Sequence, residues 1–442
     1  MKESIFNIHM ENNGHKLLFN SLYCGLCEID DTYFEVLKKC NTGMQLSEEE
    51  NELKLMAVEA GYFVEDDKDE IDFLKVNKYK AKFNEDSMTI TIAPTLTCNF
   101  ECVYCYEGKK TGIMTEETEE KLLSYISSKA EKLKRLKITW YGGEPLLAKK
   151  VIYRMSKKIL EICKQHNILY RSAMITNGSL LVKEDIALLK ECKIETVQIT
   201  LDGPAEIHNA RRICKSIGNN FEKIINNMNL LIDGNLHINL RINVDKTNIS
   251  EMEPLLKYLS EQLSSKKINI GFAAVQACTD ACIGVARDCF SMQEFSEEYF
   301  DLYDLVMKYG FDAGTKLQYA HPRINYCGAD VYHTFVVDPN GFLYKCWHDV
   351  GNVRESIGSV ENIEAALTSS KAAKWLFSDA TNNDECKLCK VLPLCMGGCP
   401  SMNFYTSSKS TCQACKYNIS DLRVRNYYKY VLRRWKCYEI YH

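Results

Sequence analysis

From residue 88 onward, apolar and polar positions along the chain follow two alternating patterns. Short runs with a period of two predict strands, and longer segments with apolar residues three or four apart predict helices. In the first helical segment Leu122, Ile126, Ala130 and Leu133 fall on one face. The strand candidates are Met88–Ala93, Leu136–Trp140, Arg171–Ile175, Thr196–Thr200, Ile238–Val244 and Ile268–Ala273, and the helix candidates are Glu116–Leu133, Val151–Cys163, Glu184–Cys192, Phe221–Ile232 and Glu253–Leu263. Strands that alternate with helices predict an α/β fold of six βα units around a parallel sheet.

Residues 1–85 have a different pattern. Two apolar-rich runs, Ser4–Met10 and Lys16–Leu22, flank Asn12-Asn13-Gly14, and this arrangement predicts a β-hairpin. Asp31 can cap a following helix, and a second helical pattern comes after it. The charged stretch 65–70 predicts a solvated loop. Beyond about residue 310 the βα pattern fades and cysteines become frequent.

Composition narrows the class of protein. The chain has 442 residues and a net charge of −4, with 26% of residues charged, so we expect no basic face for nucleic acid. No apolar run approaches the about 18 residues of a transmembrane helix, and the first residues do not resemble a signal peptide. The 21 cysteines in so long a chain predict metal ligands rather than disulfides, and hence a reducing cytoplasm.

Three cysteines follow the first predicted strand. Cys98, Cys102 and Cys105 have the spacing C-x3-C-x2-C, one thiolate short of a closed metal site. A [4Fe–4S] cluster held by three cysteines leaves one iron open. A zinc site would need a fourth Cys or His nearby, and none follows closely. The alternatives are a structural metal site or a chance pattern.

With the aromatic Tyr104 before its last cysteine, this motif resembles the signature of radical S-adenosylmethionine (SAM) enzymes. In that family the open iron binds the amino and carboxylate groups of SAM. One electron from the cluster then cleaves SAM to methionine and a 5′-deoxyadenosyl radical. The resemblance implies that the six βα units form a partial (βα)6 barrel.

Residues at the predicted strand ends extend the resemblance. Gly142-Gly143-Glu144-Pro145 follows the second strand and is similar to the motif that binds the amino group of SAM, although two glycines alone predict only a turn. Arg212 is the candidate for the SAM carboxylate, because guanidinium and carboxylate pair through two bonds. For Asp202 and His208, hydrogen bonding at the barrel rim is an equal alternative. The SAM-binding residues that the resemblance implies are Tyr104, Gly142, Gly143, Glu144, Pro145, Asn177, Asp202, Arg212 and Asn243.

The late cysteines resemble the SPASM domain, which carries two auxiliary [4Fe–4S] clusters. They are Cys327, Cys346, Cys386, Cys389, Cys395, Cys399, Cys412 and Cys415. A zinc ribbon usually needs two CxxC pairs, and only Cys386 and Cys389 form one here. The resemblance assigns Cys386, Cys389, Cys395 and Cys412 to one cluster, with Cys415 as the alternative to Cys412.

The other auxiliary cluster would use Cys327, Cys346 and Cys399. Fully ligated relatives have one more cysteine, at the position where this chain has His321. Three outcomes stay open: His321 completes the cluster, a distant thiol (Cys278, Cys282 or Cys289) completes it, or its fourth iron is open.

Together these resemblances imply three domains: a winged-helix-like precursor-recognition domain at 1–85, the barrel at 86–310 and the SPASM domain at 311–442. The alternative for residues 1–85 is a plain cap on the barrel. The implied function is a maturase that forms thioethers in a ribosomally made, cysteine-containing peptide, using SAM, three [4Fe–4S] clusters and a flavodoxin- or ferredoxin-type electron donor. Alternatives are carbon–carbon cross-linking, formylglycine formation in sulfatases, a metal-stabilised scaffold and an electron-transfer protein.

Overall fold

The structure, a computed structural model, describes residues 1–12, 14–214, 216, 218–311, 322–405 and 412. His321 and Cys415 lie outside the described residues. Within the described ranges, no helix combines the length and apolar character needed to cross a membrane.

The N-terminal segment is a small sheet with three helices. Its strands are β1 (Lys2–Glu3), β2 (Asn7–Asn12), β3 (His15–Asn20), β4 (Leu26–Ile29) and β5 (Phe63–Val64), and its helices are α1 (Asp31–Thr42), α2 (Glu48–Glu59) and α3 (Glu70–Lys82). Strands β2, β3 and β4 form an antiparallel sheet, and β1 pairs with β5. The predicted hairpin and both predicted helices are confirmed.

Two local predictions in this segment are wrong. Asp30, not Asp31, caps α1, because its extended backbone lets its carboxylate accept the amides of Thr32 and Tyr33. Glu70 does not lie in a solvated loop. It begins α3 and is buried, because its carboxylate accepts the Ser4 hydroxyl at 2.6 Å and the Ile5 amide at 2.9 Å.

Six parallel strands form the centre of the molecule, as the sequence predicts. They are β6 (Ser87–Thr95), β8 (Arg135–Gly142), β9 (Leu169–Thr176), β10 (Ile194–Leu201), β12 (His237–Val244) and β13 (Asn269–Ala274). They pair in chain order from β6 to β13. The helices of this region are α4 (Glu116–Lys129), α5 (Lys149–Gln165), α6 (Asp185–Glu191), α7 (Ala205–Arg211), α8 (Asn220–Asp233), α9 (Met252–Gln262) and α10 (Met292–Lys308). Trp140, Ile199 and Ile242 are fully buried in the core between sheet and helices.

The sheet continues beyond the six predicted strands. β14 (Thr334–Val337) pairs in parallel with β6, and β15 (Phe342–Tyr344) and β16 (Gly358–Ser359) follow as antiparallel neighbours. This region also contains the short helices α11 (Ile363–Leu367), α12 (Ser370–Leu376), α13 (Asp384–Lys387), α14 (Leu392–Cys395) and α15 (Pro400–Tyr405). The C-terminal segment therefore shares one sheet with the six-strand core, and its residues border the ends of those strands.

The N-terminal segment packs against the C-terminal segment. Leu17 and Phe19 share a hydrophobic cluster with Leu394. The Lys78 ammonium of α3 lies 2.7 Å from an Asp379 carboxylate oxygen, and both side chains are excluded from solvent. Lysine and aspartate are rarely so deeply buried unless they are paired, so this contact fixes α3 beside the cysteine-rich region.

Candidate cofactor site at the carboxyl ends of the strands

The loop after β6 presents its three cysteines to one cavity. Cys98, Cys102 and Cys105 all line this cavity, which has a volume of about 310 Å³. A short strand, β7 (Glu101–Cys102), pairs with β11 (Arg212–Ile213) and holds the loop across the barrel mouth. Partial desolvation raises the pKa of Cys98 to about 12, and repulsion from the other two thiolates adds to the rise. The three thiols are therefore close enough for their charges to interact.

This arrangement fits a cluster better than a single ion. Across the described ranges, no three His, Cys, Asp or Glu side chains converge closely enough to hold one metal ion. An iron–sulfur cluster is larger than an ion, so its thiolates surround a volume instead of meeting at a point. The side chain of Arg212 borders the same cavity, and its buried Nε has no hydrogen-bond partner among the described residues.

Gly142 and Gly143 let the end of β8 touch the cysteine loop. A Cβ atom on Gly142 would lie 2.3 Å from the Thr95 carbonyl oxygen, and its φ of +111° favours glycine. A Cβ atom on Gly143 would lie 2.5 Å from the carbonyl oxygens of Leu96 and Thr97. Because neither residue has a Cβ atom, the backbone that leads to Cys98 lies directly against them. Both glycines also line the cavity.

Glu144 lies beneath the cavity rather than in its wall. Its buried carboxylate accepts the Thr176 hydroxyl at 2.7 Å, the Asn177 amide at 2.7 Å and the Leu146 amide at 3.0 Å. Burial raises its pKa, and these three bonds oppose the rise. Pro145 begins the 3₁₀ turn that follows and is buried. In the described structure Glu144 joins the ends of β8 and β9.

Asn177 connects the end of β9 to the cysteine loop. Its side chain lines the cavity, and its Nδ2 donates to Asn99 Oδ1 at 2.8 Å. Its Oδ1 accepts the Ser179 amide and hydroxyl, at 2.9 and 2.7 Å. Asn99 directly follows Cys98, so these bonds set the position of the first cysteine.

The Tyr104 hydroxyl joins three of the predicted residues. It donates to Asp202 Oδ1 at 2.8 Å, and it accepts Arg212 Nη1 at 2.8 Å and Asn243 Nδ2 at 3.1 Å. Tyr104, Arg212 and Asn243 line the cavity, whereas Asp202 is fully buried behind them. Burial raises the pKa of Asp202, and the positive charges of Arg212 and Arg211 oppose this rise. Arg212 therefore reaches the cavity with part of its hydrogen-bonding capacity unused.

Two basic residues near Arg212 lie elsewhere. Arg211 donates to Asp202, Asp245 and the Thr247 hydroxyl and does not line the cavity. His208 is fully buried and packs edge-on against Phe221, so the structure does not bring it to the cavity. Burial lowers its pKa and keeps its ring neutral.

Several residues in the cavity wall were not predicted. They are Tyr106, Tyr141, Gln198, Thr200, Arg241, Trp347 and His348, and Cys278, named from the sequence as a possible distant thiol, also lines the wall. Tyr141 packs against Trp347 with ring centroids 4.9 Å apart, and Tyr106 against His348 at 4.7 Å. Thr200 could have been found as the last residue of the predicted strand Thr196–Thr200, and Gln198 lies two residues earlier on the same face. Trp347 and His348 directly follow Cys346, so the cysteine-rich segment forms part of the cavity wall.

The late cysteines form two groups. Cys386, Cys389, Cys395 and Cys412 lie close enough for their thiolates to interact, and burial with mutual repulsion raises the pKa values of Cys386 and Cys395. In the second group, Cys399 interacts in the same way with Cys327 and Cys346, and also with Cys278. The structure therefore brings together the two sets of cysteines named from the sequence, whereas Cys278 interacts first with Cys282 and only then with Cys399.

Comparisons with known proteins agree with this geometry. Residues 92–259 match the model of the Radical SAM superfamily. The cysteine-type anaerobic sulfatase-maturating enzyme of Clostridium perfringens strain 13 is 24% identical over 71% of this chain and 88% of its own length. The radical SAM cyclopropyl synthase TigE of Paramaledivibacter caminithermalis is 21% identical over 97% of each protein. The crystal structure of Streptococcus suis SuiB bound to precursor peptide SuiA has a TM-score of 0.55 and 13% identity, covering 94% of this chain and 99% of SuiB.

The α/β fold with its parallel central sheet is confirmed, and it is shared with solved radical SAM maturases. Radical SAM homologues bind SAM and a [4Fe–4S] cluster, as predicted for the motif at Cys98. Residues 92–259 are therefore a radical SAM domain, and the chain is similar over most of its length to radical SAM maturases.

Proposed function

We propose that this enzyme forms thioether cross-links, from a cysteine sulfur to a carbon, in a ribosomally made precursor peptide in the cytoplasm. The observation that carries the proposal is the shared cavity. Its wall combines the three-cysteine loop with Trp347 and His348 of the cysteine-rich segment. A peptide residue in this cavity would meet both the SAM side and the auxiliary-cluster side.

Cys98, Cys102 and Cys105 would hold the first cluster, and SAM bound there supplies a 5′-deoxyadenosyl radical. Arg212 would pair with the SAM carboxylate through its unpartnered Nε. Gly142 and Gly143 would offer backbone to the amino group. The Tyr104 hydroxyl, which also accepts from Asn243, accepts from Arg212 and holds the arginine in place. The aromatic pair Tyr141 and Trp347 would exclude water from the reacting carbon.

The proposed reaction balances as an oxidation. The peptide carbon would lose one hydrogen atom to the 5′-deoxyadenosyl radical that bound SAM supplies, and the cysteine sulfur would lose its proton. The new carbon–sulfur bond leaves one electron, which the auxiliary clusters would accept and pass to a flavodoxin- or ferredoxin-type partner. We assign one such cluster to Cys386, Cys389, Cys395 and Cys412, and the other to the group around Cys399, for three clusters in all.

The N-terminal segment would bind the precursor by strand addition. Main-chain hydrogen bonds at a sheet edge provide affinity without contacting the reaction centre. Strand β2 is the longer edge of the β2–β3–β4 sheet, with six residues against four in β4. SuiB, which is similar to this chain over almost its whole length, has been solved with a precursor peptide.

Carbon–carbon bond formation is the second candidate. The relative TigE, which matches this chain over 97% of each protein, is a cyclopropyl synthase, and a cyclopropyl ring consists of carbon atoms. Formylglycine formation has support from the sulfatase-maturating relatives, which match 71% of this chain. The strand-addition site proposed here has no purpose in that reaction if the sulfatase needs no leader peptide.

One experiment separates these reactions. The reconstituted enzyme is incubated anaerobically with SAM, a reductant and a cysteine-containing precursor, and the product is alkylated with iodoacetamide before mass spectrometry. A thioether removes two hydrogens and one alkylation site. A carbon–carbon bond removes two hydrogens but keeps every thiol. Formylglycine formation from cysteine removes two hydrogens and also replaces the thiol sulfur with oxygen. An unchanged peptide alongside SAM cleavage would contradict the proposed function.

A further inference from the structure

We propose that Arg241 binds a carboxylate of the peptide substrate beside the SAM site, so that the cavity selects an acidic peptide residue. The carboxylate would come from an aspartate or glutamate side chain or from the carboxyl end of the peptide. This inference rests on the proposed function in taking a peptide as the substrate. Arg241 belongs to strand β12 and lines the cavity.

The charges of the cavity wall are the first argument. Its described residues include two arginines, Arg212 and Arg241, and no aspartate or glutamate. SAM carries one carboxylate, which is assigned above to Arg212. Among the described residues Arg241 has one hydrogen-bond partner, Asn243, and no carboxylate partner. One guanidinium in the cavity therefore lacks an anion even when SAM is bound.

The position of Arg241 in the sheet leaves space for that anion. It pairs in register with Thr200 of β10 on one side and with Gly271 of β13 on the other. A Cβ atom built on Gly271 would meet no other atom within 4 Å, so the space on that side is open. The Arg241 side chain is exposed, although β12 has a neighbouring strand on each side. A carboxylate can therefore reach its two terminal nitrogens.

One hydrogen bond sets the orientation of Arg241 relative to the SAM-binding residues. Its Nε donates to Asn243 Oδ1 at 2.8 Å, and Asn243 Nδ2 donates to the Tyr104 hydroxyl at 3.1 Å. The same hydroxyl accepts Arg212 Nη1 at 2.8 Å. Because Nε is occupied, both Nη groups of Arg241 are left for a ligand. A carboxylate bound there would be held next to the SAM site.

Arg241 also faces the cysteine-rich part of the wall. Burial lowers the pKa of His348, and the positive charge of Arg241 lowers it further, so the guanidinium lies within electrostatic range of that residue. Arg241 is thus between the SAM-binding residues and the wall that contains Trp347 and His348. The proposed function places the peptide in this part of the cavity.

Entry of the peptide would make an anionic partner necessary. A peptide that fills the cavity displaces water from Arg241, and a desolvated charge is costly unless it is paired. A carboxylate restores the pairing through two parallel hydrogen bonds, which an amide or an apolar side chain cannot provide. Arg241 would therefore exclude neutral residues as well as bind acidic ones.

The test compares Arg241→Gln with Arg171→Gln, which removes the same group from the same face of the sheet. Arg171 shares the inward face of β9 with Ile175 but does not line the cavity. Each variant is assayed with the unchanged precursor, with precursors in which each core aspartate or glutamate is replaced by its amide in turn, and with one whose C-terminus is amidated. The replacement that lowers the rate identifies the source of the carboxylate.

Loss of the recognised carboxylate should lower kcat/KM of the wild-type enzyme about 10–100-fold. Arg241→Gln should lose as much on the unchanged precursor and little more on the altered one, because the two changes remove the same interaction. Arg171→Gln should behave as wild type does. In equilibrium dialysis, Arg241→Gln should bind SAM more tightly than Arg212→Gln.

Three results would overturn the inference. They are wild-type kcat/KM for a precursor without core carboxylates, an equal effect of the peptide change in wild type and Arg241→Gln, and SAM binding that Arg241→Gln weakens as much as Arg212→Gln. If no precursor is modified at all, the proposed function fails, and phenylglyoxal labelling then tests the inference on the unchanged enzyme. With SAM present, the unchanged precursor should protect Arg241 from labelling and a precursor without core carboxylates should not. Equal labelling would contradict carboxylate binding.

Discussion

Replacing Tyr104 with phenylalanine removes one oxygen atom and tests the hydrogen-bonded centre of the site. That hydroxyl donates a hydrogen bond to Asp202 and accepts hydrogen bonds from Arg212 and Asn243. A buried polar group left unsatisfied costs about 1–3 kcal/mol. Asp202 keeps its bond from Arg211, so we expect a total loss of about 2–4 kcal/mol in the free energy of unfolding.

Tyr106→Phe is the matched control. It removes the same atom from the same loop, but among the described residues the Tyr106 hydroxyl has one hydrogen-bond partner, the Tyr141 hydroxyl. We expect it to cost about 1 kcal/mol. Urea denaturation of the apo-proteins, fitted with one common dependence of the free energy on urea concentration, gives the difference in the free energy of unfolding between the two variants.

Arg212 should also lose its fixed orientation in Tyr104→Phe. Equilibrium dialysis of the reconstituted protein should show SAM binding weakened about tenfold, which corresponds to 1.4 kcal/mol. Equal urea midpoints for the two variants, or unchanged SAM affinity in Tyr104→Phe, would refute the assignment of Tyr104 as the residue that positions Arg212.

Three further predictions follow from other parts of the structure. Lys78→Met should lower the free energy of unfolding by about 3–5 kcal/mol, because it leaves the buried Asp379 carboxylate without its positive partner. The double variant Lys78→Met, Asp379→Leu should recover most of this loss. If it recovers none, the loss does not come from the ion pair. Burial would raise the pKa of Asp379, but Lys78 lowers it below its ordinary value. The stabilisation by this pair should therefore be complete above the pKa of an unfolded aspartate, near 4, and be lost as the pH falls below that value. If the difference in melting temperature between wild type and the double variant does not change over that pH range, this prediction is wrong. Ile8 and His9 are neighbours in β2, so the N–H of one faces β3 and the N–H of the other points outward. Because proline removes the N–H, one of the variants Ile8→Pro and His9→Pro should fail to fold, and the other should fold but bind the precursor more weakly. If the variant that folds binds precursor as wild type does, β2 is not the docking edge.

Much of the fold could be predicted because it is encoded locally. Alternating apolar positions place the six central strands within about two residues of their observed ends, and the buried faces of helices such as α4 follow from spacing. β14 was missed because Thr334–Val337 is short and finds its partner, β6, far away in sequence. Glu70 was misplaced for the same reason, since the donors that bury it are Ser4 and Ile5.

The residues of the site also fall into those that local sequence patterns predict and those that only the tertiary structure places. The cysteine spacings and Gly142-Gly143 are local patterns, so they could be read from the chain. Nothing local distinguishes Arg211 from Arg212. The pairing of β11 with β7 and the carboxylates around Arg211 decide which guanidinium borders the cavity. Cys278 reaches the same cavity from another loop, and only the tertiary structure brings it there.

Formation of 5′-deoxyadenosine tests the central claim most directly. The reconstituted enzyme is incubated anaerobically with SAM and dithionite, and the products are separated by chromatography. We expect 5′-deoxyadenosine and methionine from the unchanged protein. We expect neither from a variant with Cys98, Cys102 and Cys105 all changed to alanine, although that variant should keep the iron of its auxiliary clusters. Undiminished 5′-deoxyadenosine from this variant, or none from the unchanged protein, would contradict the claim that this cavity binds and cleaves SAM.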